Sequence, residues 1–197
     1  MFNKKNKVKY GLSNVHTAVQ KIDVDGAISY EDPVPVPGAV NISLTAQGEI
    51  SPFYADNGVY FQTASNNGYE GDLEIALVPE RFRIDILGEE KDEDGVLVEN
   101  ANVISVPFAL LFEFIGDVKK IKHVLYNCVA TRPSIESGTR EESIEPQTDT
   151  LSLSAAPLET GHVKAKTGDT TPDEVHENWY KSVRMPKAPD PDQGTGQ

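Results

Sequence analysis

Alternating apolar and polar residues predict several half-buried β-strands along the chain. In 69–78, Leu73, Ile75 and Leu77 fall on one face, and polar residues fall mostly on the other. The same period of two predicts strands over 15–22, 40–45, 108–114, 123–132 and 149–155, with weaker candidates at 96–98, 103–106 and 163–166. The fold class is therefore mainly β, with one or two short helices.

Two of these segments have the clearest core pattern. In 108–114 four large residues share one face: Phe108, Leu110, Phe112 and Phe114. We predict that 123–132 is its antiparallel partner, with a buried face made by Val124, Tyr126, Cys128 and Ala130. Asp25-Gly26 lies between apolar runs and predicts a tight hairpin turn.

Two helices are predicted. In 79–88, Pro79 suits the first helical position, Phe82 and Ile86 make an apolar stripe, and Gly88 suits the C-terminal cap. Because Phe82, Ile84 and Ile86 also alternate, a continuing strand is the alternative there.

A second helix is predicted over 172–184. Thr171 and Glu174 have the spacing of a capping box, and Val175, Trp179 and Val183 form one apolar face.

The segment 46–67 combines turn-forming residues with aromatic ones. Its anchors are Phe53, Tyr54, Tyr60 and Phe61, set among Gly, Pro, Asp and Asn. A long loop is usually functional or disordered, and disordered segments are poor in aromatics. The segment is therefore either a hairpin tip folded back on its own core or a long arm whose aromatics bury against another subunit.

The domain layout follows from these elements. We predict a flexible, Lys-rich N-terminal arm over 1–9, a β domain over 10–185, and a disordered Pro/Gly-rich tail over 186–197. No internal repeat is visible.

Composition narrows the functional classes. The chain has 197 residues and a net charge of −13, from 18 Lys and Arg against 31 Asp and Glu. Proteins that bind DNA tightly need Lys and Arg against the phosphates, so tight DNA binding over most of the surface is not expected. No apolar run approaches the ~20 residues of a membrane helix. The single cysteine indicates a reducing compartment during synthesis.

Candidate chemistry is sparse. We predict that Cys128 belongs to the core, and the four histidines lack the spacing of a metal site. Loops beginning at Asp23 and Asp92 fail the EF-hand pattern at the glycine and glutamate positions and are explained as turns. The basic stretch Lys119, Lys120 and Lys122 could meet phosphates, an acidic neighbour or water, with water as the default. We therefore predict no enzyme, no cofactor and no metal.

Longer strings carry a specific resemblance. The chain from about Lys7 to about Pro186 contains, in order, SPFYADNGVYF, NNGYEGDLEIALVPERFR, PFALLFEF and VLYNCVATRP. It resembles the major tail protein family of long, non-contractile-tailed phages of Gram-positive bacteria.

The resemblance implies a β-sandwich or barrel-like tail-tube fold that self-assembles into stacked hexameric rings. Double-stranded DNA would pass through the lumen during genome ejection without specific binding. The implied partners are further copies, the tape-measure protein, the tail terminator and the tail-tip initiator. The implied location is the virion tail, after assembly in the host cytoplasm.

The resemblance also implies that 46–67 is an inter-subunit arm, which assigns Phe53, Tyr54, Tyr60 and Phe61 to an interface. Some relatives carry an immunoglobulin-like C-terminal domain, which is not expected here. The alternative function is a monomeric β-sandwich module that binds carbohydrate or a partner protein through aromatics such as Tyr54, Tyr60, Tyr69 and Trp179.

Overall fold

The computed structural model describes residues 5–139 and 146–186, and within them thirteen strands and two short helices. The strands are β1 (Lys9–Ile22), β2 (Ile28–Tyr30), β3 (Val34–Pro35), β4 (Ala39–Gln47), β5 (Ile50–Ala55), β6 (Gly58–Ala64), β7 (Gly68–Ile75), β8 (Glu90–Lys91), β9 (Leu97–Val98), β10 (Phe108–Gly116), β11 (Ile121–Ala130), β12 (Asp149–Ala156) and β13 (Lys164–Lys166). The helices are α1 (Glu80–Asp85) and α2 (Asp173–Glu177). The predicted mainly β fold is confirmed.

One large antiparallel sheet organises the molecule. Its strands follow the order β2-β1-β10-β11-β12-β7-β4, with β3 beside β1 and β13 beside β11. Alternate residues of these strands and the apolar side of α1 form one hydrophobic core. A second, smaller core covers the opposite face of β10 and β11, under the chain around Trp179. The result is a two-layer, β-sandwich-like arrangement.

The central strand β10 is buried on both faces. Phe108 and Leu110 point into the first core, whereas Ala109 and Leu111 point into the second. All four have no measurable exposure. Burying a large apolar side chain stabilises a fold by roughly 1.5–3 kcal/mol, so β10 contributes through both layers.

Bulges explain why the alternating pattern predicted the wrong start for β1. Strand β1 begins at Lys9, not at Val15, and its pairing with β10 shifts twice before His16. Gly11 and Asn14 adopt left-handed conformations there, with φ of 62° and 59°. A bulge adds one residue to one strand and breaks the period of two, which hides the first half of the strand.

A bulge between β10 and β11 changes which side chains of β11 share a face. The pairing shifts between Phe108 opposite Cys128 and Leu110 opposite Leu125. Val124 and Tyr126 therefore face the second core, while Leu125 and Cys128 face the first. The prediction that Val124, Tyr126, Cys128 and Ala130 share one face was wrong for this reason.

The end of β7 also differs from the prediction. The strand stops at Ile75, and Leu77, predicted on the core face, is 71% exposed. Val78 is buried instead, because its N–H donates to the Asp149 carboxylate at 2.9 Å and the chain turns toward α1. The weak strand candidate at 103–106 is not a strand.

A helix is present within 79–88, so the alternative strand is wrong, but α1 is shorter than predicted: it spans Glu80–Asp85 and its C-cap is Ile86. Phe82 and Ile86 are buried, and Gly88 is left-handed with φ 76°. Pro79, however, is the N-cap and not the first helical residue, because its ψ of 144° is extended.

The second helix is shorter than predicted. Helix α2 ends at Glu177, and Pro172 is the N-cap without any side-chain cap. The predicted capping box is absent because the Thr171 hydroxyl accepts the Gly168 N–H at 2.8 Å. The apolar face is nevertheless formed, since Val175 and Val183 pack with the buried Trp179.

The predicted ends of the chain are only partly visible. Residues 1–4 of the predicted N-terminal arm and 187–197 of the predicted tail lie outside the described residues, as do 140–145 of the predicted loop. Asn6 is fixed in place: its Oδ1 accepts the N–H groups of Val118 and Lys119 at 2.8 and 2.9 Å. The β domain therefore already includes part of the segment assigned to the arm.

Candidate inter-subunit surface

The segment 46–67 forms a two-stranded ribbon. Strands β5 and β6 pair with each other and with no other strand of the described chain. The turn lies at Asp56 and Asn57, which are both left-handed with φ of 49° and 60°. Left-handed residues at both central positions make a type I′ turn, whose twist matches that of paired strands. We call β5, β6 and their turn the ribbon.

Backbone hydrogen bonds join the ribbon to the core sheet. The Asn67 N–H donates to the Gln47 carbonyl at 2.9 Å, and the Ser65 N–H donates to the Glu49 carbonyl at 2.9 Å. A Cβ at Gly48 would lie 2.2 Å from the Ser65 carbonyl oxygen, so the close approach at the root requires glycine. The ribbon is thus a direct extension of the β4–β7 pair.

The four predicted anchors lie together on this ribbon. Phe53, Tyr54, Tyr60 and Phe61 are 60%, 65%, 73% and 61% exposed. Every residue of β6 is exposed, as is every residue of β5 except Ala55. The aromatics are therefore not folded back on the core, which was the first of the two alternatives. Their burial against another subunit stays a prediction.

The ribbon is apolar beyond the predicted anchors. Phe53 and Phe61 lie directly opposite each other across the strands, and Ile50 and Val59 add exposed apolar area at 63% and 55%. Ile50 and Val59 were missed as anchors, although Ile50 opens an alternating run through Pro52 and Tyr54. An isolated two-stranded hairpin is marginally stable, and large exposed apolar patches mark interaction sites. The ribbon is the strongest candidate site on the chain.

The outer face of the β4–β7–β12 part of the sheet is acidic. Glu70, Asp72 and Glu74 alternate along β7, and each pairs with a Ser or Thr of β12. Ser152 donates its hydroxyl hydrogen to Asp72 at 2.8 Å, and Thr148 donates to Glu74 at 2.7 Å. No ion pair of these three carboxylates occurs within residues 5–139 and 146–186. This face combines negative charge with hydroxyl groups.

The lysines of 119–122 have partners within the chain and do not simply meet water. Lys120 Nζ lies 2.5 Å from the carboxylate of Glu113, which is 1% exposed. Lys122 Nζ donates to the His176 carbonyl at 2.7 Å, and the Tyr180 hydroxyl donates to Glu113 at 3.3 Å. Burial and the charge of Glu113 raise the pKa of Tyr180. This network fastens the C-terminal segment to β10 and β11.

Cys128 and His123 are buried groups without reactive surroundings. Burial raises the pKa of the Cys128 thiol to about 12, so it is not a thiolate at neutral pH. His123 stacks on Phe112 with ring centres 5.0 Å apart and lies edge-on to Phe114. Burial, with Lys164, Lys166 and Lys9 nearby, lowers the pKa of His123 to about 4. The predicted core role of Cys128 agrees with this position.

The two Asp-rich turns have the same local structure. Asp23 Oδ1 accepts the N–H groups of Asp25 and Ala27, and Asp92 Oδ1 accepts those of Asp94 and Val96. These bonds explain the aspartates as turn formers. In the part of the chain that the structure describes, no group of three His, Cys, Asp or Glu side chains could hold a metal ion.

Comparisons with known proteins add no family. No protein-family model matches the chain, and no curated protein matches it. Among the described helices, none is long and apolar enough to cross a membrane.

Proposed function

We propose that this chain is a structural tail tube protein of a long, non-contractile-tailed phage. Copies assemble into stacked hexameric rings, and the tube conducts double-stranded DNA during genome ejection. The protein is not an enzyme in this proposal. It acts in the virion tail, after assembly in the host cytoplasm with the tape-measure protein, terminator and initiator. The observation that carries the proposal is the exposed apolar ribbon.

The ribbon supports self-assembly on energetic grounds. Four aromatics stay in water in the single chain, although burying each would stabilise an interface by roughly 1.5–3 kcal/mol. Exposed strand edges and hairpins invite pairing with another chain unless something covers them. A ring requires one surface to meet a different surface on the next copy, and a protruding arm provides such a surface.

The acidic sheet face supports the role as a conduit. Phosphates are repelled by a surface of carboxylates, so DNA slides along it without forming long-lived contacts. We place Glu70, Asp72 and Glu74 on the DNA-facing side within this proposal. The net charge of −13 works in the same direction.

The alternative binding module has less support. Trp179 is 3% exposed, and Lys164 lies over the ring of Tyr69 at 4.2 Å from its centre. Only Tyr54 and Tyr60, both on the ribbon, remain well exposed among its four aromatics. Flat carbohydrate-binding platforms need several free rings on one rigid surface.

The proposal is tested by the Phe53→Ala/Tyr54→Ala variant. We expect wild-type protein to form rings or tubes with a central channel, seen by light scattering behind size exclusion and by negative-stain microscopy. The double variant should stay a folded monomer, because its anchors are gone while the core is intact. Ile135→Ala, which removes another fully exposed apolar side chain, is the control and should assemble like the wild type.

Two results would contradict the proposal. One is tubes of wild-type length from the double variant. The other is a wild-type chain that stays monomeric at high concentration and also with tape-measure protein and initiator present. In the second case a glycan screen would test the binding module.

A further inference from the structure

Three lysines at one end of the sheet make no ion pair within the described residues. Lys9 begins β1, and Lys164 and Lys166 lie on β13. Lys9 Nζ lies 4.8 Å from the centre of the Phe114 ring, so it rests on an aromatic face and not on a carboxylate. All three surround His123 and disfavour its protonation. We call Lys9, Lys164 and Lys166 the lysine rim.

The ribbon leaves the molecule at the same end. Strand β7 begins at Gly68, directly after the ribbon, and Lys164 donates to the hydroxyl of Tyr69, the next residue. The Gln47–Gly68 pair marks the root of the ribbon. The lysine rim and the root of the ribbon that carries the aromatic anchors therefore lie at the same end of the sheet.

The opposite end carries an excess of carboxylates. Among the described residues, five cations there are already paired: Lys21 with Glu31, Arg81 with Asp85, Arg83 with Glu89, Lys91 with Glu80, and Arg132 with Glu99. Five acidic residues there form no salt bridge within the described ranges: Asp25, Asp32, Glu90, Glu93 and Asp94. We call these five the carboxylate pole.

The chain path places the pole away from the rim. Strand β1 starts at the rim and ends at Ile22, just before the turn that holds Asp25. Asp32 lines one groove with Arg81 and Asp85 of α1. Lys91, in the same hairpin as Glu93 and Asp94, pairs with Glu80 of α1.

Rim and pole cannot neutralise each other within one copy. The 14 residues of β1 span roughly 45 Å at ~3.3 Å per residue. The Debye length at physiological salt is about 8 Å, so the attraction across one molecule is screened. A second molecule can bring the carboxylates of the pole to the rim.

We propose that the lysine rim of one copy binds the carboxylate pole of the next copy along the tube. This contact would stack the rings head to tail, with every ribbon directed the same way. The inference rests on the proposed tube function. A polyanion such as DNA is the competing ligand of the rim. We favour a second copy because rim and pole have opposite charge, lie at opposite ends and accompany a protruding apolar arm.

The test is a charge swap. Lys164→Glu/Lys166→Glu and Asp25→Lys/Asp94→Lys should each lower the assembled fraction at least about tenfold, because like charges then face each other. A chain that carries all four substitutions should recover assembly, because rim and pole attract again with reversed sign. Lys181→Glu, which changes charge on another exposed surface, is the matched control for Lys166→Glu. Sedimentation at low and high salt gives the assembled fraction, and circular dichroism verifies folding.

Each outcome decides between the two proposals. If wild-type tubes form and the charge-reversed chains assemble equally well, or if the four-fold variant is not rescued, the head-to-tail contact is wrong and the tube function stands. A second case is that the wild type binds DNA and assembles, while Lys164→Glu/Lys166→Glu assembles equally well but no longer binds DNA. In that case the rim is a polyanion site and the proposal is overturned. If the wild type never assembles, both proposals fail.

Discussion

Strand β10 and the ribbon are both rich in aromatic residues and have opposite surroundings. β10 carries Phe108, Phe112 and Phe114 and is covered by the same chain on two sides. The ribbon carries four aromatics that are 60% or more exposed. Both are antiparallel paired strands with a register shift, so the difference lies in what covers them and not in local structure.

Under the proposed function, this difference separates folding from assembly. Substitutions in β10 act on the free energy of unfolding of the monomer. Under the proposed function, substitutions in the ribbon are expected to act on association, because the ribbon buries almost nothing within one copy. A β10 variant that changes only association, or a ribbon variant that changes the free energy of unfolding of the monomer, would contradict this distinction.

The largest expected effect is that of Phe108→Ala. Its side chain has no exposure and meets Phe82 edge-on, with ring centres 5.8 Å apart. The cavity should lower the free energy of unfolding by about 3–5 kcal/mol, measured by urea denaturation with Trp179 fluorescence. Phe53→Ala is the matched variant in the ribbon and should stay within about 0.5 kcal/mol of the wild type. Equal losses of unfolding free energy in the two variants would contradict the distinction between β10 and the ribbon.

The next effect concerns the polar side of β10. Glu113→Gln removes the charge that Lys120 and Lys122 meet, which should cost about 2–3 kcal/mol. The C-terminal segment should loosen first, seen as a red shift of Trp179 emission and faster proteolysis. Glu159→Gln, on an exposed turn, is the control. An unchanged emission spectrum would show that the network does not hold this segment.

Per pH unit, a smaller effect is expected from the titration of His123. Its pKa is 6.5 in the unfolded chain and about 4 in the fold, so the unfolded state binds more protons between these values. Stability should therefore rise with pH from 4 to 6.5, by at most about 1.4 kcal/mol per pH unit, and fall as acid is added. His123→Phe keeps an aromatic ring between Phe112 and Phe114 and should flatten this slope. A slope that is identical in the variant would assign the acid sensitivity elsewhere.

The smallest effect is expected at the ribbon turn. Asn57→Gly supplies a residue that adopts φ of 60° more easily, so the hairpin should gain less than about 0.5 kcal/mol. Slower amide hydrogen exchange in β5 and β6 would report it, with unchanged exchange in β10 as the internal control. Faster exchange in the ribbon would contradict the type I′ geometry.

Sequence patterns predicted the strands wherever the alternation was uninterrupted. Leu151 and Leu153 in β12 and Leu73 and Ile75 in β7 are buried as expected. Bulges defeat this reasoning, because one extra residue reverses every later side chain. The faces of Tyr126 and Cys128 were predicted wrongly for that reason, and the alternation gave no sign of the shift.

The sequence predicted where the ribbon lies but not that it consists of two paired strands. Its aromatics marked 46–67 as unusual, yet the many turn formers hid two paired strands. Asp56 and Asn57 form the turn, whereas Gly48 serves close approach at the root, and composition cannot separate these roles. The lysine rim was not predicted because Lys9 and Lys164 are distant in sequence, and only strand pairing brings them to the same end of the sheet.

The continuous ladder from the sheet into the ribbon has a mechanical consequence. A pull on the ribbon along its length is transmitted into β4 and β7 parallel to the strands, so many hydrogen bonds share the force and must shear together. A sideways push meets resistance only at the narrow root beside Gly48. A tube linked by such ribbons would resist stretching while it bends easily.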